Sequence, residues 1–239
     1  MNVLAIGAHP DDVELLCGGT LALYADRGDQ VTIAIATNGE VGSSFGTKEE
    51  IAERRYGEAL AAAGRLGAEL IWLGYPDEFL FNEEPTRRRF IDAIRQARPR
   101  VLFTHSTADY HPDHRTAGQI AQDARIPCAV PLIEGAFPAC EIPTVFIMDT
   151  LGGHGFAPQQ IVDVSTVIDR KSAILGEHRS QREWLHTAYG IEYQDLMRGH
   201  AADRGALVGA RYGEAFRQLP TFPETGGPEL LPNHHPVPR

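Results

Sequence analysis

The chain of 239 residues has little of several things that mark whole protein classes. Its three cysteines, Cys17, Cys128 and Cys140, are odd in number and widely scattered. With no CxxC spacing they make neither a disulfide framework nor a cysteine zinc site. No run approaches the ~20 apolar residues needed to span a bilayer, so no membrane partner is expected. The apolar N-terminal run is too short for a secretory signal and lacks its basic flank, and a cytoplasmic location is expected. Positive charge is scarce too. Lys and Arg total 22 against 32 Asp and Glu, a formal charge of −10, which disfavours a nucleic-acid backbone as partner. There is no acidic block, internal repeat or interdomain linker. What remains is ordinary for a globular chain: 43% hydrophobic and 23% charged residues, enough for a sizeable core.

Hydrophobic patterning alternates strand with helix. Asn2 to Gly7 is an apolar strand that stops at Gly7-Ala8. Leu15 to Arg27 reads as a helix closed by Gly28, and Gln30 to Ala36 as a β-branched strand. A glycine-rich loop, 37–46, leads to a helix over Lys48–Leu66, and Glu69 to Leu73 is a third strand. Thr86–Ala97 is an amphipathic helix, Val101–Thr104 a fourth strand and Thr116–Ala124 a helix. The proline-punctuated stretch Ile126–Pro143 fits no element. Thr144–Met148 and Gln160–Val164 are two more strands, with a helix capped by Ser165 from Val167 to His178. A helix over Ile191–Asp203 and a short one at Tyr212–Phe216 complete the domain, 1–219. The Pro/Gly-rich segment 220–239 reads as a tail, or an arm over a neighbouring subunit. The fold class is α/β: a Rossmann-like, mostly parallel sheet with helices on both faces.

Two stretches carry chemistry: His9-Pro10-Asp11-Asp12 and His111-Pro112-Asp113-His114. Each follows an apolar strand, the first and the fourth. Such strands can be neighbours at the topological switch point, which puts both loops on one crevice. A catalytic divalent cation takes three imidazole or carboxylate ligands and keeps a position for water. His9, Asp12 and one histidine of the second loop would make such a set. Asp11, beside a ligand, would then take a proton from water, and the other histidine would donate to an oxyanion. That assembly is a metal-assisted hydrolase of an amide or ester. Two blander readings compete. Asp11 or Asp12 could merely cap the next helix. An acidic pair could bind Mg²⁺ as in receiver domains, which leaves the histidines idle and half the chain unexplained.

The stretch Gly7-Ala8-His9-Pro10-Asp11-Asp12-Val13-Glu14 with Gly18-Gly19-Thr20, and Tyr110-His111-Pro112-Asp113-His114-Arg115, resemble the PIG-L/LmbE family of zinc-dependent N-acetylglucosaminyl deacetylases. Later stretches, Val162-Asp163-Val164-Ser165, Lys171, His178-Arg179-Ser180-Gln181 and Arg211 to Phe216, look closest to its bacillithiol-type branch. The resemblance implies His9, Asp12 and His114 as ligands of Zn²⁺, a set that would also suit Fe²⁺. It implies Asp11 as general base, His111 as oxyanion donor and Asp113 as the carboxylate orienting His111. Arg55 and Asp77 would contact the substrate, against the alternatives of a solvated helix face and a turn. Tyr110 and His154 are further substrate-lining candidates, and Glu78 stands where many relatives have Gly. His105 is another candidate for the site, His178 is expected in an outer shell, and His234 and His235 in solvent.

The implied activity is removal of the N-acetyl group from a small amino-sugar conjugate, giving acetate and free amine, by a homo-oligomer. Deacylation of a larger thiol-sugar or antibiotic glycoconjugate is the alternative, with Phe79, Phe81 and Phe156 forming an apolar pocket. A non-catalytic sugar-binding protein is a third reading, for which Asp11 and His111 would be superfluous.

Overall fold

The computed structural model describes residues 1–43 and 45–238. Ser44 of the glycine-rich loop and Arg239 of the tail lie outside the described residues. Eight strands form one sheet: β1 (Asn2–Gly7), β2 (Gln30–Thr37), β3 (Glu69–Tyr75), β4 (Val101–Thr104), β5 (Thr144–Met148), β6 (Gln160–Asp163), β7 (Gly213–Gln218) and β8 (His234–Pro236). Among the described residues seven α-helices join them: α1 (Asp12–Asp26), α2 (Lys48–Leu66), α3 (Glu84–Ala97), α4 (Pro112–Ala124), α5 (Ile168–Leu175), α6 (Arg179–Tyr189) and α7 (Tyr193–Ala206). The strand order is β3-β2-β1-β4-β5-β7-β6-β8. The first five strands in that order pair parallel, and β7, β6 and β8 are antiparallel.

Alternate residues of each strand feed two cores, as the two-residue period requires. Val3, Ala5 and Phe103 face α1, α2, α5 and α7, around Tyr24, Phe146 and Phe216. Leu4, Ile6 and Leu102 face α3 and α4, around Phe90, Ile94 and Ile120. The chain passes from β1 outward to β2 and β3, then returns to β4 on the other side of β1. Ile6 of β1 pairs with Thr104 of β4, so the loops after these strands leave the sheet side by side. This is the switch point expected from the two motifs.

Several elements differ from the sequence expectation. Helices α1 and α4 begin inside the motifs, so Asp12, Asp113 and His114 occupy first helical turns. The stretch 213–218 is a strand, not a helix. Its Gly-Glu-Ala start has weak β propensity, and its place between β5 and β6 decides the conformation. Ser165 does not cap α5, which starts at Ile168 without a side-chain cap. Its hydroxyl donates to Asp163 Oδ1 at 2.6 Å and accepts from the Tyr212 amide at 3.1 Å. Helix α6 has no counterpart in the expected elements. The proline-rich end runs back over its own sheet: β8 pairs with β6 and Leu231 is buried.

The irregular stretch 126–143 is organised by one side chain. Arg95, 2% exposed, donates from Nε to the Cys128 carbonyl at 3.0 Å and from Nη1 to that of Ile133 at 2.8 Å. Its Nη2 reaches the Val130 carbonyl at 2.9 Å. Irregular backbone can be buried only if its carbonyls find donors, and this guanidinium supplies them. Arg95→Met is expected to cost about 2–4 kcal/mol, since charged hydrogen bonds are lost and buried acceptors left bare. In a chain of this size that lowers Tm by roughly 5–12 °C, measurable by calorimetry. A shift below about 2 °C would mean that the segment is held by something else.

Candidate active site

The loop after β1 begins with Gly7-Ala8-His9 and turns into α1 at Asp12. Asp11 occupies the N-cap position, but its side chain makes no cap bond, which removes the helix-cap reading. Its φ of 105° lies in the left-handed region, an uncommon and strained conformation for a residue with a side chain. Strain of this kind persists where surroundings over-determine it. Arg55, 2% exposed, donates from Nη2 to the Pro10 carbonyl at 2.7 Å and stands 3.5 Å from Asp11 Oδ1. The Tyr193 hydroxyl donates to Asp11 Oδ2 at 2.8 Å. The glycine-rich loop makes room for that guanidinium: a Cβ on Gly42 would lie 2.2 Å from Arg55 Nη1. The Arg55 Nη1 also donates to the Gly39 carbonyl at 3.3 Å. Arg55 thus lies in the pocket floor and braces the loop, while Arg54 keeps the solvated face.

Three of the expected residues converge. His9 Nδ1 is 3.3 Å from His114 Nε2 and 3.4 Å from Asp12 Oδ2, and His114 Nε2 is 3.2 Å from Asp12 Oδ1. Ligands about 2.0–2.1 Å from a tetrahedral Zn²⁺ stand about 3.4 Å from one another, so this donor set fits such an ion. His114 Nδ1, on the far side of its ring, is 3.2 Å from Asp109 Oδ1. That carboxylate, behind the His114 imidazole, is a residue the sequence reading missed. Burial opposes charge on His114, but Asp12 and Asp109 outweigh it and raise its pKa to about 9. Burial likewise opposes charge on His9, and Asp113, Asp12 and Asp77 outweigh it. The carboxylates around the two rings therefore favour positive charge at this spot.

His105 is fully buried behind the trio. Its ring stacks on that of His114 with centroids 4.2 Å apart, and its Nε2 is 3.2 Å from Asp12 Oδ2. His178 is also buried, 3.4 Å from Glu14, in the outer layer expected of it.

The second loop works differently from the expectation for Asp113. That carboxylate does not touch the His111 ring. Sitting in the first turn of α4, it points back to the loop after β3, accepting from the amides of Glu78 at 2.8 Å and Leu80 at 3.3 Å. It also stands 3.5 Å from His9 Nε2. His111 is the N-cap of α4, and its Nδ1 accepts the Asp113 amide at 3.3 Å. An Nδ1 that accepts leaves the proton on Nε2, which faces Glu78 Oε1 at 3.1 Å. Burial, with His9 and His114 close by, lowers the His111 pKa, so the ring is a neutral Nε2–H donor.

Asp77 is 3% exposed, 3.0 Å from His9 Nε2, and accepts the Val41 amide at 3.3 Å. Tyr110 is half exposed at the pocket mouth, edge-on to His111 and His114. His154 is an exception: it is exposed on the loop after β5 and does not line the cavity. Its flanking glycines are all at positive φ. Nor do the three phenylalanines form an apolar pocket. Phe79 and Phe81 are more than half exposed, and Phe156 is buried in the core of the opposite face. The cavity, about 350 Å³, takes its apolar wall instead from α1, the loop after β5 and the α6–α7 hairpin, including Leu15, Leu16, Leu151, Trp184 and Leu185.

A mostly parallel α/β sheet with imidazoles and carboxylates gathered at its switch point defines a catalytic cleft able to hold a divalent cation. The chain belongs to the PIG-L family: the family model, described as GlcNAc-PI de-N-acetylase, matches residues 4–125. A diacetylchitobiose deacetylase of Thermococcus kodakarensis is 31% identical over 231 residues, covering 92% of this chain and 83% of the relative. A 4-oxalmesaconate hydratase of Pseudomonas putida is 29% identical over 187 residues, covering 73% and 71%. The N,N'-diacetylchitobiose deacetylase of Pyrococcus horikoshii, solved with an inhibitor, superposes with a TM-score of 0.80 at 28% identity, covering 91% of this chain and 83% of that one. Among the described residues no helix is long and apolar enough to cross a membrane.

Proposed function

We propose that this protein hydrolyses the acetamide of an N-acetylglucosaminyl conjugate, releasing acetate and the free amine. The observation that carries the reading is the separation of jobs in one loop. His9 and Asp12 converge with His114, while Asp11, between them in sequence, faces away to Tyr193 and keeps its carboxylate available. His9, Asp12 and His114 would hold the cation, Zn²⁺ in this reading. When bound, it supplies a Lewis acid beside the acyl carbonyl and a water of lowered pKa. Asp11 takes the proton of the attacking water. Burial raises its pKa, against Arg55 and His178, which makes it a stronger base than an exposed aspartate. The His111 Nε2–H turns from Glu78 to the oxyanion and donates to it, with the Asp113 amide on Nδ1 fixing the ring. Collapse breaks the C–N bond, and the amine departs with the proton Asp11 received. Asp77 and Glu78 accept from sugar hydroxyls.

Metal analysis of the purified protein coupled to deacetylation tests this. Amine and acetate should appear in equal amounts from an N-acetylglucosaminide and stop on chelation. A metal-loaded protein that binds these sugars without releasing acetate would be a binding protein instead. The hydratase relative motivates a second arm, hydration of a carboxylic acid. Against it, Arg55 is the one Lys or Arg lining the cavity among the described residues, and its Nη groups are committed to backbone carbonyls.

Asp109 supports the metal set from behind. Asp109→Asn is expected to weaken metal affinity about 10–100-fold, as removal of a carboxylate behind a ligand histidine does elsewhere. Competition with a chromogenic chelator measures it. Unchanged affinity would mean that Asp109 does not support the metal set through His114.

A further inference from the structure

Two of the three cysteines, in no spacing motif, are brought together by the fold. Cys128, in the short turn after α4, and Cys140, just before β5, belong to the core on the α3–α4 face. Cys17 lies in the core on the other face of the sheet. The Cys140 amide donates to the Cys128 carbonyl at 3.1 Å, and Arg95 Nε holds the same carbonyl at 3.0 Å. A backbone bond of this kind sets two Cα atoms roughly 5–6 Å apart, inside the span of about 4.4–6.8 Å that a disulfide bridges. The two side chains hydrogen-bond to one another, and all three cysteines are free thiols.

The pair is unequal. Cys128 is fully buried, whereas Cys140 is 8% exposed. The hydrogen bond from Cys128 lowers the Cys140 pKa to about 7, with Arg98 and Arg95 helping against burial, and the same bond raises that of Cys128. Burial raises the Cys17 thiol well above its ordinary value. Among the described residues no imidazole or carboxylate joins the two sulfurs as a third ligand, so they are not part of a metal site. Nor does the hydrolase reading use them. They precede β5 at its N-terminal end, and the candidate site follows the C-terminal ends of β1 and β4.

We propose that Cys128 and Cys140 are a redox site, which hydrogen peroxide converts reversibly to a disulfide. The Cys140 thiolate attacks one peroxide oxygen and breaks the O–O bond, leaving a sulfenic acid and hydroxide. The Cys128 sulfur then attacks the sulfenic sulfur. The S–S bond forms as the S–O bond breaks, and the departing hydroxide takes the Cys128 proton as water. The first hydroxide takes the proton that Cys140 gave up. Two thiols and one peroxide thus become one disulfide and two waters, and a dithiol reductant reverses the change. In a reducing compartment the pair stays open until oxidant reaches it.

The test treats the full chain with a small excess of hydrogen peroxide, unfolds it and labels the remaining thiols with N-ethylmaleimide. One label, on Cys17, is expected in place of three, with a mass lower by the two hydrogens lost. A glutamyl endopeptidase cuts after Glu134, between the two cysteines, and the flanking fragments should stay joined until dithiothreitol is added. The bridge closes a short loop over the stretch that Arg95 organises, and calorimetry should show Tm raised by about 5–10 °C. Cys128→Ser should leave Cys140 as a sulfenic acid that dimedone captures, while Cys140→Ser leaves Cys128 unoxidised. Three labels after oxidant overturn the proposal, and so does a bridge that includes Cys17 or joins two chains. A Tm unchanged or lowered by the bridge would show that the folded chain does not admit it, which overturns the proposal too. The labelling and Tm of the unaltered chain decide this whether or not either variant folds.

Discussion

Asp11→Asn is expected to lower kcat about 10³-fold while metal content stays that of the unaltered protein, because an amide cannot take the water's proton. The substitution is nearly isosteric, and the Tyr193 hydroxyl can still donate to the remaining oxygen. The strained turn at Asp11, held by Arg55 on the Pro10 carbonyl, should survive it. The three converging donors, His9, Asp12 and His114, are untouched. Steady-state kinetics on samples with metal measured by elemental analysis decides the matter. A kcat within threefold of normal would sink the general-base role. Loss of metal along with kcat would make Asp11 a ligand and require a different base. Tyr193→Phe should cost less, since it removes a bond to the base and not the base.

The separation of Asp11 from Asp12 could be anticipated from chain order but not explained by it. Two loops of His-Pro-Asp character after apolar strands were enough to place a crevice, because a doubly wound sheet leaves few positions for its first and fourth strands. The structure adds what turns adjacency into function. Asp12 enters a helix and faces inward, whereas Asp11 at φ 105° faces the α7 tyrosine. No local pattern announces a tyrosine 182 residues away in sequence. Asp109 escaped notice for a related reason: it belongs to neither motif, and its role appears only when α4 places His114 Nδ1 against it.

Asp113 shows where analogy led astray. A carboxylate next to a working histidine is a sound candidate to orient it, yet here a backbone amide fixes His111. The Asp113 side chain organises the loop after β3 instead, including Glu78 at φ 67°. His154 and the phenylalanines lie on the loops after β3 and β5, but a strand end fixes where a loop starts and not which of its side chains turn into the crevice. The parallel half of the sheet was legible from apolar runs and helical spacing. The antiparallel half was not. Strand β7 carries a charged residue in its second position, and only the tertiary partner of that residue makes the burial tolerable.

That partner yields the largest stability effect expected in the molecule. Lys171→Met should destabilise the fold by about 3–5 kcal/mol, as removal of one member of a buried ion pair does. Lys171 Nζ stands 2.6 Å from Glu214 Oε1, and both side chains are 2% exposed. Glu214 is otherwise fully engaged, accepting the Gly19 amide at 2.8 Å, the Thr20 amide at 2.7 Å and the Thr20 hydroxyl at 2.5 Å. The motif Gly18-Gly19-Thr20 is thereby explained without chemistry at the substrate. A Cβ on Gly19 would lie 2.8 Å from Val164 Cγ1, so only glycine lets α1 approach close enough to give its amides to β7. The network clamps α1, whose first turn begins at Asp12, to α5 and β7. Without Lys171 the carboxylate keeps its three donors but loses its counter-charge in a site where water cannot replace it. Urea unfolding of Lys171→Met, Glu214→Gln and the double variant separates charge from packing. Each single change strands one buried charge, whereas the double variant strands none, and the single oxygen of glutamine can still accept either from the Gly19 amide or from Thr20. The double variant should therefore be more stable than Lys171→Met alone, with a coupling energy of roughly 2–3 kcal/mol. A single-variant loss below about 1 kcal/mol would show that solvent or a rearranged neighbour reaches the pair, and that helix–sheet packing, not the ion pair, holds α1 in place.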